Sequence, residues 1–128
     1  MQEIVKLAEC LYCGVPAIDE EHTSLLNLLN ELKFAEHKDV DMLVIRICDA
    51  INQHSTIEEH IMHDVRYDDF AMILHIADHH TQFAEIKEDV AHLNIDAAIR
   101  KLAKHIAKYD VPLGKFVMAK QKMIDTSQ

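Results

Sequence analysis

Glycine and proline are scarce in this chain, with two of each in 128 residues. A turn-rich β fold uses both freely, so the 49% of residues that are hydrophobic fit long uninterrupted helices instead. Cysteine is nearly as rare: three residues fit a reducing compartment better than a disulfide framework. Clusters of positive charge are missing. The formal charge of -9 and a pI near 5.5 repel phosphate backbones and anionic membrane surfaces, which argues against nucleic acid and membrane as partners. No apolar run approaches a membrane span, and Met1-Gln2-Glu3-Ile4-Val5-Lys6-Leu7 is too polar for a signal peptide. The expectation is a soluble cytoplasmic protein. Its length fits one domain, residues 1–128, around one continuous core.

The apolar pattern divides into helical segments. Residues 1–17 read as an arm, in which Gly14 and Pro16 act against a regular helix. A first helix starts after Asp19 as N-cap, with leucines at 25, 26, 28, 29 and 32 forming a broad apolar face. A break at His37-Lys38-Asp39 precedes a second helix from about Val40 to His63, apolar at Leu43, Ile47, Ile51, Ile57 and Ile61. Asp64 to Asp69 reads as a turn, with Asp69 capping a third helix through Ile73, Ile76, Phe83, Ile86 and Val90. After the link His92-Leu93-Asn94, a fourth helix capped by Asp96 carries Ile99, Leu102, Ala103 and Ile106 until Pro112 and Gly114 end it. Residues 114–128 follow as a tail. Short connections between these segments predict an all-α, up-down-up-down antiparallel four-helix bundle over about residues 18–113, with an N-terminal arm.

Histidine, by contrast, is plentiful, with ten residues. His22 falls in the first turn of the first helix. His54 with Glu58, and His75 with His79, are each four residues apart, which stacks each pair on one helical face. Those faces are apolar, where an unpaired imidazole or carboxylate is costly to bury. His105 and Asp110 are five apart and point about 140° away from each other on an ideal helix. That pair meets at one site only if the helix tightens or ends near Asp110, which Pro112 makes plausible. Five imidazoles and two carboxylates converging from four helices suit a pair of metal ions, the carboxylates bridging, and the lack of cysteine in the set favours iron, manganese or zinc. No Glu-x-x-His occurs, which sets the chain apart from ferritin-like carboxylate oxidases. The remaining histidines, His37, His60, His63, His80 and His92, read as surface residues, and the acidic runs at 19–21 and 85–89 as solvated faces. Cys10 and Cys13 form a lone Cys-x-x-Cys, read as ordinary thiols with a redox role as the alternative.

In its motifs the sequence resembles hemerythrin, specifically the short single-domain bacterial form, over about residues 11 to 117. The matching stretches are Gly14-Val15-Pro16-Ala17-Ile18-Asp19-Glu20-Glu21-His22, His54-Ser55-Thr56-Ile57-Glu58-Glu59, His75-Ile76-Ala77-Asp78-His79 and His105-Ile106-Ala107-Lys108-Tyr109-Asp110. The resemblance implies two non-haem iron ions joined by an oxo or hydroxo bridge and by Glu58 and Asp110. It assigns His75, His79 and His105 to one iron, and His22 and His54 to a second iron with an open position. It further implies reversible O2 binding as carrier, store or sensor, without catalysis, in an apolar pocket that includes Leu102, Ile106 and the position of Ser55. Several aromatics usual in the family are replaced: Ser55 stands where phenylalanine is usual, Lys101 where tryptophan is common, and Leu11 and Tyr12 near the usual arm tryptophan. A hydroxyl at Ser55 predicts water entry and faster autoxidation. Two other classes stay open. One is a di-iron redox enzyme or sensor acting on peroxide or nitric oxide. The other is a signalling module whose arm, with Cys10 and Cys13, reports the state of the irons to a separate partner. The sequence leaves the oligomeric state undetermined, with a monomer slightly favoured.

Overall fold

A computed structural model describes residues 11–126, and the regular structure among them is entirely helical. Helix α1 spans Pro16–Lys33, a single 3-10 turn covers His37–Asp39, and α2 runs Val40–Asp64. Helix α3 spans Asp69–Ala91 and α4 Ile95–His105; a π-helical stretch, Ile106–Asp110, then leads directly into α5, Val111–Thr126. Each of α1 to α4 packs on the next, and α4 closes back onto α1. This is the four-helix bundle that the apolar periodicity predicts. Among the described residues no helix is long and apolar enough to cross a membrane.

The helix ends depart from expectation in instructive ways. Helix α1 begins at Pro16, not after Asp19, because proline in the first turn has a ready-made helical φ and gives up only an N–H that would be unpaired there anyway. Asp19, three residues inside the helix, turns its carboxylate back to accept from the arm amides of Cys13 at 2.8 Å and Gly14 at 3.0 Å. The cap of α3 is Asp68, accepting from the Ala71 N–H at 2.9 Å, and Asp69 sits in the first turn instead. Helix α4 has Asn94 at its N-cap, while Asp96 lies in its first turn and pairs with Lys33 at 3.3 Å. Helices α2 and α3 both close with left-handed residues that are not glycine, Arg66 at φ 54° and Leu93 at φ 61°. Around each, paired bonds recapture the last carbonyls: Tyr67 N–H to Met62 with Arg66 N–H to His63, and Asn94 N–H to Asp89 with Leu93 N–H to Val90.

Pro112 and Gly114 do not end the last helix; it continues to Thr126, so the expected tail is helical. The Val111 N–H reaches back to the Ile106 carbonyl, an i→i−5 bond. This wider turn falls immediately before Pro112, whose ring and missing N–H cannot join an ordinary i→i−4 ladder. Gly114 is needed for a different reason: a Cβ there would overlap the Cys13 carbonyl and side chain, so the arm lies directly on α5.

Two apolar clusters form the interior. The larger gathers Leu25, Leu29 and Leu32 of α1, Leu43, Ile47 and Ile51 of α2, Phe83, Ile86 and Val90 of α3, and Ala98, Leu102 and Ile106 from the last segment. The smaller comprises Cys13, Ile18, Met62 and Leu113, flanked by Tyr67, Met72, Ile76 and Val117. Along each helix the switch from one cluster to the other is marked by buried histidine, glutamate or aspartate.

Candidate metal centre

All seven residues singled out by spacing converge between the two apolar clusters, and each is at most 5% exposed. α1 contributes His22, α2 contributes His54 and Glu58, α3 contributes His75 and His79, and the last segment contributes His105 and Asp110. The two i, i+4 pairs face inward as helical stacking requires. His105 and Asp110 join them because the π stretch widens the helix. A turn closed by i→i−5 bonds carries residues five apart onto nearly one face, so the expected tightening or ending near Asp110 is replaced by its opposite.

Ligand atoms from His54, Glu58, His79, His105 and Asp110 all lie within 4.8 Å of one another. His22 and His75 attach through Asp110, whose two oxygens face different partners. Its Oδ2 lies 2.8 Å from His22 Nε2 and 3.5 Å from His54 Nε2, while its Oδ1 lies 3.0 Å from His75 Nε2 and 3.1 Å from His105 Nε2. Glu58 Oε1 lies 2.8 Å from His54 Nε2 and 3.0 Å from His79 Nε2.

One of these contacts, His79 Nε2 with Glu58 Oε1 at 3.0 Å, is a hydrogen bond; most of the others are proximity alone. Both ring nitrogens of His22, His54 and His75, the His105 Nε2, Glu58 Oε2 and both Asp110 oxygens are buried without an aligned hydrogen-bond partner. A native interior leaves few such atoms, each costing about 1–3 kcal/mol when unsatisfied. Lone pairs aimed at a shared centre account for this, and neutral imidazole nitrogen with carboxylate oxygen is a donor set for borderline divalent metals. The residues therefore fit metal.

The electrostatics agree. Burial alone would push His54, His75 and His105 down, but Glu58 and Asp110 overcome it: His54 is held well above its ordinary value, His75 above it, and His105 is raised to about 10. Burial pushes Asp110 up, yet the surrounding imidazoles hold it well below the usual carboxylate range, and Glu58 is lowered in the same way. His79 is the exception. Burial lowers it, aided by His75 and His105 and opposed by Glu58.

Carboxylates also face the outer sides of the imidazoles, and one of them, Asp78, is hydrogen-bonded. Asp78 Oδ2 meets His105 Nδ1 at 2.6 Å, Glu21 Oε1 lies 3.4 Å from His54 Nδ1, and Glu59 Oε2 lies 3.7 Å from His79 Nδ1. None of the three was singled out by spacing, and Glu21 belongs to a run read as a solvated face. The available signal was adjacency, since Glu21, Glu59 and Asp78 each neighbour a member of the inner set. On the apolar side Phe83 packs on His105, His79 and His54, with ring centroids 4.6, 5.0 and 5.6 Å away. Tyr109 lies against His75 and His105 at 5.4 and 5.5 Å.

Leu102 and Ile106 are buried in the larger apolar cluster with Phe83. Ser55 is half-buried, and its hydroxyl donates to the Ile51 carbonyl at 3.2 Å. Cys13 is buried, which pushes its thiol up to about 12, and its companion Cys10 lies outside the described residues. The five remaining histidines are all exposed. A family model described as the hemerythrin HHE cation binding domain matches residues 13–122, most of the chain. No curated protein and no solved structure gives a match. With that match running from the arm through the bundle and the π stretch, the chain belongs to the hemerythrin HHE cation binding domain family.

Proposed function

We propose that this protein binds O2 reversibly at a pair of iron ions, as a carrier, store or sensor without catalytic turnover. The observation that carries the reading is the divided Asp110 carboxylate, one oxygen toward His22 and His54 and the other toward His75 and His105. In this assignment Glu58 and Asp110 would be shared by the two ions, His75, His79 and His105 would hold one, and His22 and His54 would hold the other. A bound pair of irons supplies the two electrons that O2 takes up on binding and returns on release. The chain's own contribution is to hold, orient and keep dry. Asp78 holds the His105 ring by its Nδ1 so that Nε2 faces inward, and the Glu21 carboxylate lies 3.4 Å from His54 Nδ1. Phe83, Leu102 and Ile106 back the imidazoles with apolar surface that excludes water. Metal must displace protons from His54, His75 and His105, which the two carboxylates otherwise keep charged, so loading releases acid.

The half-buried Ser55 hydroxyl favours a second reading, a redox enzyme or sensor acting on peroxide or nitric oxide, because it gives polar solutes a foothold beside the cluster. We place the protein in the cytoplasm as a single domain, and a separate partner would read the arm where Cys13 lies on Gly114. Anaerobic loading with ferrous iron, followed by O2 and then vacuum, tests the proposal. A visible band that appears with O2 and vanishes under vacuum supports it; direct conversion to a stable ferric spectrum favours the redox reading.

A further inference from the structure

A cleft of about 340 Å³ opens between α2 and α3, lined on α2 by Asn52, Ser55, Thr56 and Glu59 and on α3 by His79 and Lys87. Its innermost polar residue is His79, the most exposed of the seven inner residues at 5%, while the others stand at 0 or 1%. His79 Nδ1 is buried and lacks a hydrogen-bond partner; the nearest carboxylate, Glu59 Oε2, is 3.7 Å away. At the other end of the cleft the Lys87 ammonium reaches across from α3 and donates to Asn52 Oδ1 on α2 at 2.5 Å. A cation thus spans a half-enclosed passage whose floor is a residue of the inner set.

The charge balance says what such a passage is for. If the cluster holds two divalent ions joined by a hydroxo bridge, the reading on which this inference rests, Glu58, Asp110 and that bridge would cancel only part of their charge, and the neutral imidazoles none. The centre therefore attracts anions. The chain around it carries a formal charge of -9, which repels them over most of the surface. In the cleft Lys87 balances the Glu59 carboxylate, so the wall is neutral where the chain as a whole is strongly acidic, and the hydroxyls of Ser55 and Thr56 offer hydrogen bonds along it.

We propose that the α2–α3 cleft is the entrance by which small monovalent anions reach the metal centre, with Lys87, tied across it by Asn52, as the guiding cation. The probe is azide, added to the oxidised iron-loaded protein and followed by its visible band in stopped flow. Lys87→Met is expected to slow azide association about five-fold at low ionic strength and much less at high salt, and Ser55→Phe, which fills the wall, to slow it at both. A second readout needs no metal. In the metal-free protein Ser55→Cys is expected to react faster with a negatively charged methanethiosulfonate than with a positively charged one, and Lys87→Met to abolish that preference. Unchanged azide rates in both variants overturn the proposal, as does labelling at Ser55→Cys that ignores reagent charge. Failure to load iron would instead remove the metal reading, and the labelling ratio would still decide whether the cleft selects anions.

Discussion

The two apolar regions that flank the polar cluster are unequal. On one side lies the larger cluster, built from α1 to α4 and the first residue of the π stretch, with Leu29, Ile47 and Val90 fully buried. On the other side four buried residues suffice, one of them from the arm and another, Leu113, from the start of α5. Burial of a large aliphatic or aromatic side chain contributes about 1.5–3 kcal/mol, so most of the fold's stability resides in the larger region. The smaller one joins the arm and the start of α5 to α1 and α2 through Ile18 and Met62. The clustered histidines and carboxylates thus lie between a large apolar region shared by all four helices of the bundle and a small one to which the arm and α5 contribute.

Phe83→Ala attacks the larger region at the point where it meets three imidazoles. It is expected to cost about 3–5 kcal/mol, read as a fall in the denaturation midpoint of the metal-free protein. Next comes pH, which acts on the cluster between the two regions. His54, His75 and His105 have raised values, so their contribution to metal-free stability is complete below about 6.5 and is lost as pH rises through their folded values, about 10 for His105. Glu58 and Asp110 have lowered values, so theirs is present above about 4.5 and lost in acid, where the lowered His79 also disfavours the fold. Thermal melts of metal-free protein should therefore peak between about pH 4.5 and 6.5 and decline toward pH 10. Loaded protein should lose that alkaline decline, because metal binds neutral imidazole.

Asp78→Ala leaves both apolar regions intact and frees the His105 ring. It is expected to weaken metal binding about 10- to 100-fold, measured by competition with a chelator, and to cost the metal-free protein about 1–3 kcal/mol by leaving the buried His105 Nδ1 unpaired. Gly114→Ala breaks the smaller region alone, since the added methyl overlaps the Cys13 carbonyl. A loss of about 1–3 kcal/mol is expected, together with faster thiol labelling of Cys13, while hydrogen exchange in the larger region stays as it was. If exchange accelerates throughout the bundle, the two regions are one cooperative unit and the comparison fails.

The legible parts of the site were those fixed by regular geometry. His54 with Glu58, and His75 with His79, need only a straight helix to share a face, and four apolar stripes suffice to bring the helices together. For His105 and Asp110 the spacing predicts a meeting through a tightened or ended helix, whereas it depends on a π turn that no local preference announces. Pro112 is its visible trace, although it reads first as a terminator. Helix ends were harder still: with only two glycines, the left-handed closures fall to Arg66 and Leu93, which carry no turn signature. Gly14, at φ 88°, and Gly114 both serve the junction of arm and α5, a contact between distant parts of the chain that spacing cannot reveal. Asp78 and Glu21 carry no signal of their own, because an acidic residue on a helix is ordinarily solvated and only the fold shows which imidazole it meets.

The central claim is that this cluster holds two metal ions, and a ferrous titration under anaerobic conditions tests it most directly, with bound iron and released protons counted together. The account predicts saturation at about two irons per chain, proton release on binding, and loss of binding in Asp110→Asn. Saturation at one iron, or no uptake with the bundle fully folded, would contradict it.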